Sequence, residues 1–155
     1  MGNKKYKVGY TCGVFDLFHY GHLNLLEKCK DLCEILIVGV CDDDYVVNIK
    51  NKTPIFNQEE RARILQALEV VDKTVIVDTE TVNDKILAQE QIGFDVLFSG
   101  DDWKGSERYL KTEKQFEKTG TSIEYFPYTQ GISTSLIIEI LQENRIKKLK
   151  SKNKI

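Results

Sequence analysis

The two histidines of this chain lie close together in the segment 13–22, Gly-Val-Phe-Asp-Leu-Phe-His-Tyr-Gly-His. They are His19 and His22, and they follow an apolar segment and open a helix-forming run. A helix start offers unpaired backbone N–H groups and the positive end of the helix dipole. Two imidazole donors at that point make a site suited to phosphate oxygens. The segment therefore predicts an enzyme that handles a nucleotide's phosphates; a zinc site is the alternative, although no further ligands are evident.

Basic residues downstream are candidates for the same site. Lys50 and Lys52 stand in a segment without clear periodicity, where they are either solvated or partners for triphosphate oxygens. Arg61 falls in the first turn of a predicted helix, where a cation opposes the helix dipole. That conflict indicates either use in the site or a surface ion pair with Glu59 or Glu60.

Two further segments carry polar groups that a nucleotide could use. The segment 100–105 places an aspartate pair, Asp101 and Asp102, beside the only tryptophan. This pair could bind a base, a sugar or Mg²⁺, or could simply cap a turn. Residues 131–135 bring three hydroxyl groups to the start of the last predicted helix, which is typical of an anion cradle. The alternative there is ordinary N-capping, which needs only one hydroxyl.

Short apolar runs alternate with helical stretches, a pattern that predicts an α/β domain with a parallel sheet. Asn57 and Glu60 predict a capping box ahead of the second helix. In a doubly wound sheet the ligand binds at the carboxyl ends of the strands, near the switch point. The candidate segments all follow strands. We expect strands at 6–12, 34–41, 74–77, 94–99 and 122–126, and helices at 22–32, 62–68, 82–91, 107–118 and 134–142.

The composition describes one globular domain, which we place at residues 1–143, followed by a basic, frayed tail at 144–155. Apolar residues make up 41% of the 155 residues, and the net charge of −2 offers no general attraction to nucleic acid. There is no apolar run long enough for a bilayer and no signal-like N-terminus, so we expect a cytoplasmic protein without membrane partners. The four cysteines predict buried free thiols rather than a zinc or disulfide frame.

Other phosphate-binding motifs are missing from the chain. It contains no P-loop pattern, and no Gly-x-Gly-x-x-Gly follows the first strand. No pairing of a nucleophile with a base is visible. Direct attack by a bound substrate phosphate fits this pattern, because such a reaction needs only positioning and charge stabilisation.

Taken together, the segments 13–22, 100–103 and 131–135 resemble the cytidylyltransferase family of HIGH-motif nucleotidyltransferases, and its glycerol-3-phosphate branch in particular. The resemblance implies a Rossmann-like, doubly wound, mostly parallel five-stranded sheet with helices on both faces. It also implies a homodimer and a reaction assisted by Mg²⁺. In that reaction CMP passes from CTP to a small phosphorylated alcohol, and pyrophosphate is released.

The resemblance also implies roles for individual residues at matching positions. His19, His22 and Lys52 would be catalytic, and Lys50 and Lys85 would contact the acceptor. No protein ligand for a metal is assigned. The residues implied in nucleotide binding are Gly13, Val14, Phe15, Asp102, Thr129, Gly131, Ile132, Ser133, Thr134 and Ser135.

Two positions depart from the family pattern. Glu69 and Tyr128 stand where cytidylyltransferases usually carry arginines, and neither can bind a phosphate or base bidentately. Base and acceptor therefore stay open. The alternatives are an adenylyltransferase acting on a sugar phosphate or flavin precursor, a choline- or ethanolamine-phosphate cytidylyltransferase, and a nucleotide sensor without turnover.

Overall fold

The computed structural model describes residues 3–154, so that Met1, Gly2 and Ile155, which belong to the predicted N-terminal segment and tail, lie outside the described residues. A single sheet runs in the order β3-β2-β1-β4-β5, and every neighbouring pair is parallel. This confirms the predicted α/β fold with five parallel strands. The strands are β1 (Tyr6–Gly13), β2 (Cys33–Cys41), β3 (Lys73–Val77), β4 (Val96–Gly100) and β5 (Ser122–Phe126).

Helices cover both faces of this sheet, as the resemblance implied. On one face, apolar residues of the first and third helices pack on the sheet in a cluster that includes Leu26, Leu65 and Val38. On the other face, the fifth and sixth helices contribute Ala88 and Phe116 to a second cluster. The helices are α1 (Tyr20–Leu32), α2 (Asp43–Asn48), α3 (Gln58–Gln66), α4 (Thr79–Asn83), α5 (Lys85–Ile92), α6 (Glu107–Glu117) and α7 (Thr134–Lys152), and a 3₁₀ turn spans Asp101–Trp103.

The central strands are covered on both sides, which explains their continuous apolar sequences. From Leu36 to Cys41, every residue of β2 is buried. The chain leaves β1 toward β2 and β3, and then crosses back to place β4 on the other side of β1. The switch point therefore lies between β1 and β4, and the loops that follow these two strands meet there.

Three helices differ from the sequence prediction. The predicted helix at 82–91 is two helices, because Asp84 breaks it and its carboxylate accepts hydrogen bonds from the N–H groups of Ile86 and Leu87. Helix α2 was not predicted. Helix α7 was predicted to end at 142 but continues to Lys152, so it crosses the boundary that we placed at 143. Residues 143–152 contain no glycine or proline, and strong helix formers dominate there.

All four cysteines are free thiols, and Cys29, Cys33 and Cys41 are buried, as predicted. Cys12 is partly buried, with its Sγ 3.8 Å from that of Cys41. Within residues 3–154, no helix combines the length and the apolar character that crossing a bilayer requires.

Candidate active site

The two histidines cap helix α1 together. His19 is the N-cap residue, and its Nδ1 accepts a hydrogen bond from the N–H of Gly21 at 3.1 Å. The Nδ1 of His22 accepts from the N–H of His19 at 3.3 Å, which completes a capping box built from two imidazoles. The rings stack with their centroids 3.7 Å apart. Gly21 is required between them, since a Cβ there would lie 2.9 Å from His19 Cε1 and 3.0 Å from Ile132 Cγ2.

This arrangement sets the protonation of both rings. Because each Nδ1 accepts a hydrogen bond, the proton of the neutral ring is on Nε2, which leaves two N–H donors for a ligand. Burial lowers the pKa of His19. Burial, together with the neighbouring His19 ring, lowers the pKa of His22 to about 4, against a smaller opposing effect of Asp16. Both rings are therefore neutral donors at neutral pH.

The histidine pair yields a prediction for NMR. Imidazole nitrogen spectra at pH 7 should show the Nε2–H tautomer for both rings, and His22 should titrate near pH 4. Its folded pKa lies below its unfolded value, so the stability that it contributes is complete above pH ~6.5 and is lost as the pH falls toward 4. Replacing His19 by Asn keeps a capping side chain and removes the ring that adds to the effect of burial on the pKa of His22, so the titration midpoint should rise. A midpoint at or above 6.5 for His22 in the wild-type protein would contradict this assignment.

Asp16 fastens the loop between β1 and α1 to two other segments. Its carboxylate accepts hydrogen bonds from the N–H groups of Ile55 at 2.7 Å and Phe56 at 3.0 Å. Its carbonyl accepts from the Thr134 hydroxyl at 2.9 Å. Phe15 has a positive φ of 54° in this loop, a conformation that a bulky residue rarely adopts without support from its surroundings. The histidine loop, the lysine segment and the start of α7 therefore meet at a single residue.

Arg61 also connects these loops to one another through its side chain. It is buried, and its guanidinium donates to the carbonyls of Val14 at 2.7 Å, Cys41 at 2.8 Å and Phe56 at 2.9 Å. It also pairs with Asp43 at 2.7 Å. Neither of the two readings of the sequence was right, because Arg61 makes no surface ion pair with the glutamates before it and lines neither of the cavities described next. Its role is to hold the loops around the site.

The larger of two adjoining cavities encloses about 480 Å³ above the carboxyl ends of β1 and β4. Its walls include the predicted residues Gly13, Val14 and Phe15, and also His22. Its basic lining residues come from three elements, and no aspartate or glutamate is among the lining residues. Those basic residues are Lys50, Lys85 and Arg108.

The smaller cavity encloses about 250 Å³ and lies on the other side of His22. Residues of the segment 127–134 form one of its walls, and Asn24 fastens that wall to α1 through a 3.3 Å hydrogen bond to the Thr129 hydroxyl. His22, Leu25 and Tyr128 belong to both cavities. The predicted lining residues are His19, Thr129, Ile132, Ser133 and Thr134.

Tyr128, which the resemblance sets against a family arginine, lies over the end of β4. A Cβ at Gly100 would clash with the Tyr128 hydroxyl and would lie 2.7 Å from Asp102 Oδ1. Partial burial and then the Asp102 carboxylate raise the pKa of Tyr128 to about 12, so its hydroxyl remains a neutral donor. This places Asp102 beside the cavity wall, although it does not line either cavity itself.

Some predicted residues lie outside the cavity walls. Lys52 is exposed in the segment between α2 and α3, and Ser135 is exposed in the first turn of α7. Gly131 has a φ of 81°, so glycine is needed there for the turn. Of the three hydroxyls, Ser133 is the N-cap of α7, and that of Thr134 donates to Asp16. The roles implied for these residues stay predictions.

Sequence reasoning missed Asp43 and Arg108. Asp43 follows β2 in a run of three aspartates at the carboxyl edge of the sheet, which was an available signal. Arg108 is the second residue of α6, and Lys85 is the first residue of α5. Both cations oppose a helix dipole, the same signal that was noted at Arg61.

Comparison with known proteins agrees with this geometry. The family model described as cytidylyltransferase-like matches residues 10–140. The chain is 36% identical over 127 residues to a glycerol-3-phosphate cytidylyltransferase of Bacillus spizizenii, covering 82% of this chain and 91% of that protein. It is 38% identical over 134 residues to the bifunctional protein HldE of Citrifermentans bemidjiense, covering 86% of this chain but only 26% of that protein.

A solved structure has the same fold. The crystal structure of a lipopolysaccharide core biosynthesis protein from Thermoplasma volcanium superposes with a TM-score of 0.64 at 27% identity, covering 80% of this chain and 97% of that one. The family match, together with the parallel sheet, identifies the chain as a nucleotidyltransferase. Within that class, the chain belongs to the cytidylyltransferase-like family, which confirms the resemblance.

Proposed function

We propose that this protein transfers CMP from CTP to a small phosphorylated alcohol, with glycerol 3-phosphate as the first candidate, and releases pyrophosphate. The observation that carries the proposal is the shared wall at His22. On one side lies a cavity bounded by the hydroxyl-bearing segment before α7, and on the other lies a cavity with three cations and no carboxylate. The triphosphate of a nucleotide on the first side would extend past His22 to Gly13, Val14 and Phe15, and there it would meet an acceptor phosphate held by the cations of the second side.

The reaction requires that two phosphates are positioned and that developing charge is stabilised. An oxygen of the acceptor phosphate attacks the α-phosphorus of CTP, a new P–O bond forms, and the bond to the bridging oxygen of pyrophosphate breaks. The Nε2–H groups of His19 and His22 donate to triphosphate oxygens and stabilise the charge that develops there. Lys50 and Lys85 bind the acceptor phosphate through their positive charge and orient it toward the nucleotide.

Mg²⁺ and a homodimer complete the proposal. Within residues 3–154, no group of three or more acidic, histidine or cysteine side chains forms a metal cluster. The proposed Mg²⁺ would come with the nucleotide, since such ions use one or two carboxylates together with phosphate oxygens, and Asp102 would supply one. When bound, the ion would neutralise charge on the triphosphate.

For the dimer, support comes from half-exposed apolar residues on α7: Ile140, Leu141, Ile146 and Leu149.

Pyrophosphate release tests the proposal directly. Purified protein is incubated with each nucleoside triphosphate and Mg²⁺, together with a panel of acceptors. The panel contains glycerol 3-phosphate, choline phosphate, ethanolamine phosphate and heptose 1-phosphate. We expect release with CTP and glycerol 3-phosphate. Release with ATP alone would overturn the choice of nucleotide.

An adenylyltransferase acting on a sugar phosphate is the second candidate. The similarity to HldE proteins and the tyrosine at position 128 favour it, although the chain spans only about a quarter of the length of those proteins. The same panel separates the two candidates, because the second predicts release from ATP with heptose 1-phosphate. A sensor without turnover would instead be stabilised against heat by CTP and release no pyrophosphate with any acceptor.

A further inference from the structure

The larger cavity holds positive charge without a protein counter-ion. Lys50, Lys85 and Arg108 line it, no carboxylate does, and none of the three forms a salt bridge within residues 3–154. Burial lowers the pKa of Lys85, and the nearby Arg108 adds to that effect against the opposing influence of Cys12. Cations gathered in this way favour an anionic ligand.

Arg108 is held in place by the end of α4. Its Nη2 donates to the carbonyl of Val82 at 3.3 Å and to that of Asn83. These are among the last carbonyls of α4, and they have no partner within that helix. The guanidinium is therefore fixed at the cavity wall, and its Nη1 and Nε make no hydrogen bond to the described residues. They are free to face a bound molecule.

The aromatic rings around the cavity already face cations of the protein. The guanidinium of Arg108 lies 5.9 Å from the centre of the Trp103 ring, and Lys50 Nζ lies 6.0 Å from that of Tyr45. Proteins bind quaternary ammonium groups on such aromatic faces. Here an incoming ammonium group would have to displace a protein cation, and none of the lining residues is a carboxylate that could pair with it.

We propose that Arg108 selects the acceptor by the charge of its non-phosphate end, admitting neutral or anionic groups and excluding ammonium groups. This inference rests on the proposed transfer reaction and adds the charge class of the acceptor. It predicts that glycerol 3-phosphate and phosphorylated hydroxy acids are substrates, while choline phosphate and ethanolamine phosphate are excluded.

Three small acceptors of graded charge test the role of Arg108. Ethanolamine phosphate, glycerol 3-phosphate and 3-phosphoglycerate carry a positive, neutral and negative group away from the phosphate. With CTP, wild-type kcat/KM should be at least about tenfold lower for ethanolamine phosphate than for glycerol 3-phosphate, and Arg108→Gln should narrow that ratio at least about tenfold. The same variant should lose more activity with 3-phosphoglycerate than with glycerol 3-phosphate. Arg108→Lys, which keeps the charge, should preserve the order of kcat/KM that the wild-type protein shows for the three acceptors.

The matched control is Arg63→Gln, which removes an exposed arginine of α3 that lines neither cavity. It should leave all three values unchanged. Calorimetric titration of the same three phosphates without nucleotide measures their binding independently of any transfer. It therefore separates a failure of the transfer proposal from a failure of the inference about Arg108. If no acceptor releases pyrophosphate from CTP, the transfer proposal fails, and the binding ratios alone decide on Arg108. Equal use or binding of ethanolamine phosphate and glycerol 3-phosphate by the wild-type protein, or an unchanged ratio in Arg108→Gln, would overturn the inference.

Discussion

Replacing His22 by Ala should lower kcat by about 10²–10³, the scale expected for the loss of one transition-state donor. The ring contributes a neutral Nε2–H, because its Nδ1 is engaged by the backbone N–H of His19. It also lies in the wall that the two cavities share. Steady-state kinetics with saturating CTP and acceptor measure the effect, and kcat and kcat/KM should fall together if the donor acts in the transition state alone.

Two further variants at His22 separate catalysis from capping. His22→Asn places an oxygen near the position of Nδ1, so it should retain the cap and the melting temperature while losing as much rate as Ala. His22→Gln can place an N–H near the position of Nε2, so it should keep more of the rate. An alanine variant with wild-type kcat would remove His22 from the mechanism.

Replacing Arg61 by Met should destabilise the fold by about 3 kcal/mol, because it breaks an ion pair whose arginine is buried and also removes the donor of three carbonyls. Methionine keeps an apolar stem but leaves the carbonyls of Val14, Cys41 and Phe56 without their donor. Chemical denaturation measures the free energy of unfolding. Because these carbonyls belong to loops of the site, nucleotide binding should weaken in the same variant.

Arg63→Met is the matched control for this prediction. Arg63 lies on the same helix but is exposed, so its replacement should change the free energy of unfolding by no more than about 0.5 kcal/mol. The double-mutant cycle with Asp43→Asn isolates the 2.7 Å ion pair from the three carbonyl contacts. A loss below about 1 kcal/mol in Arg61→Met would show that the loops hold together without it.

Sequence patterns that extend over many residues predicted the fold well. The apolar run of β2 predicted a strand buried on both faces, and the helical pattern after the histidines predicted α1, although the capping by the histidines themselves was not predicted. Such signals are repeated over many residues, so single exceptions do not hide them. Sequence reasoning also located the segments 13–22 and 131–135, which contribute residues to the cavity walls.

Features that depend on one side chain and a distant partner were harder to predict. Asp84 divides a predicted helix, and no periodicity reveals a single capping aspartate. Arg61 and Asp43 are 18 positions apart, so their pairing follows only from the meeting of β2 and α3. Helix α2 has six residues, too few to show a clear period.

The walls around His22 come from different parts of the chain. One consists of the head of α1 and the segment before α7, whereas the basic end of the other comes from the short elements between β3 and β5 and from the end of α2. The basic residues of these elements can therefore change without disturbing the imidazole cap, while the apolar residues beside them keep their place in the core. One ancestral chain could in this way give rise to enzymes with different acceptors, and the same division tells an engineer where to graft a new specificity.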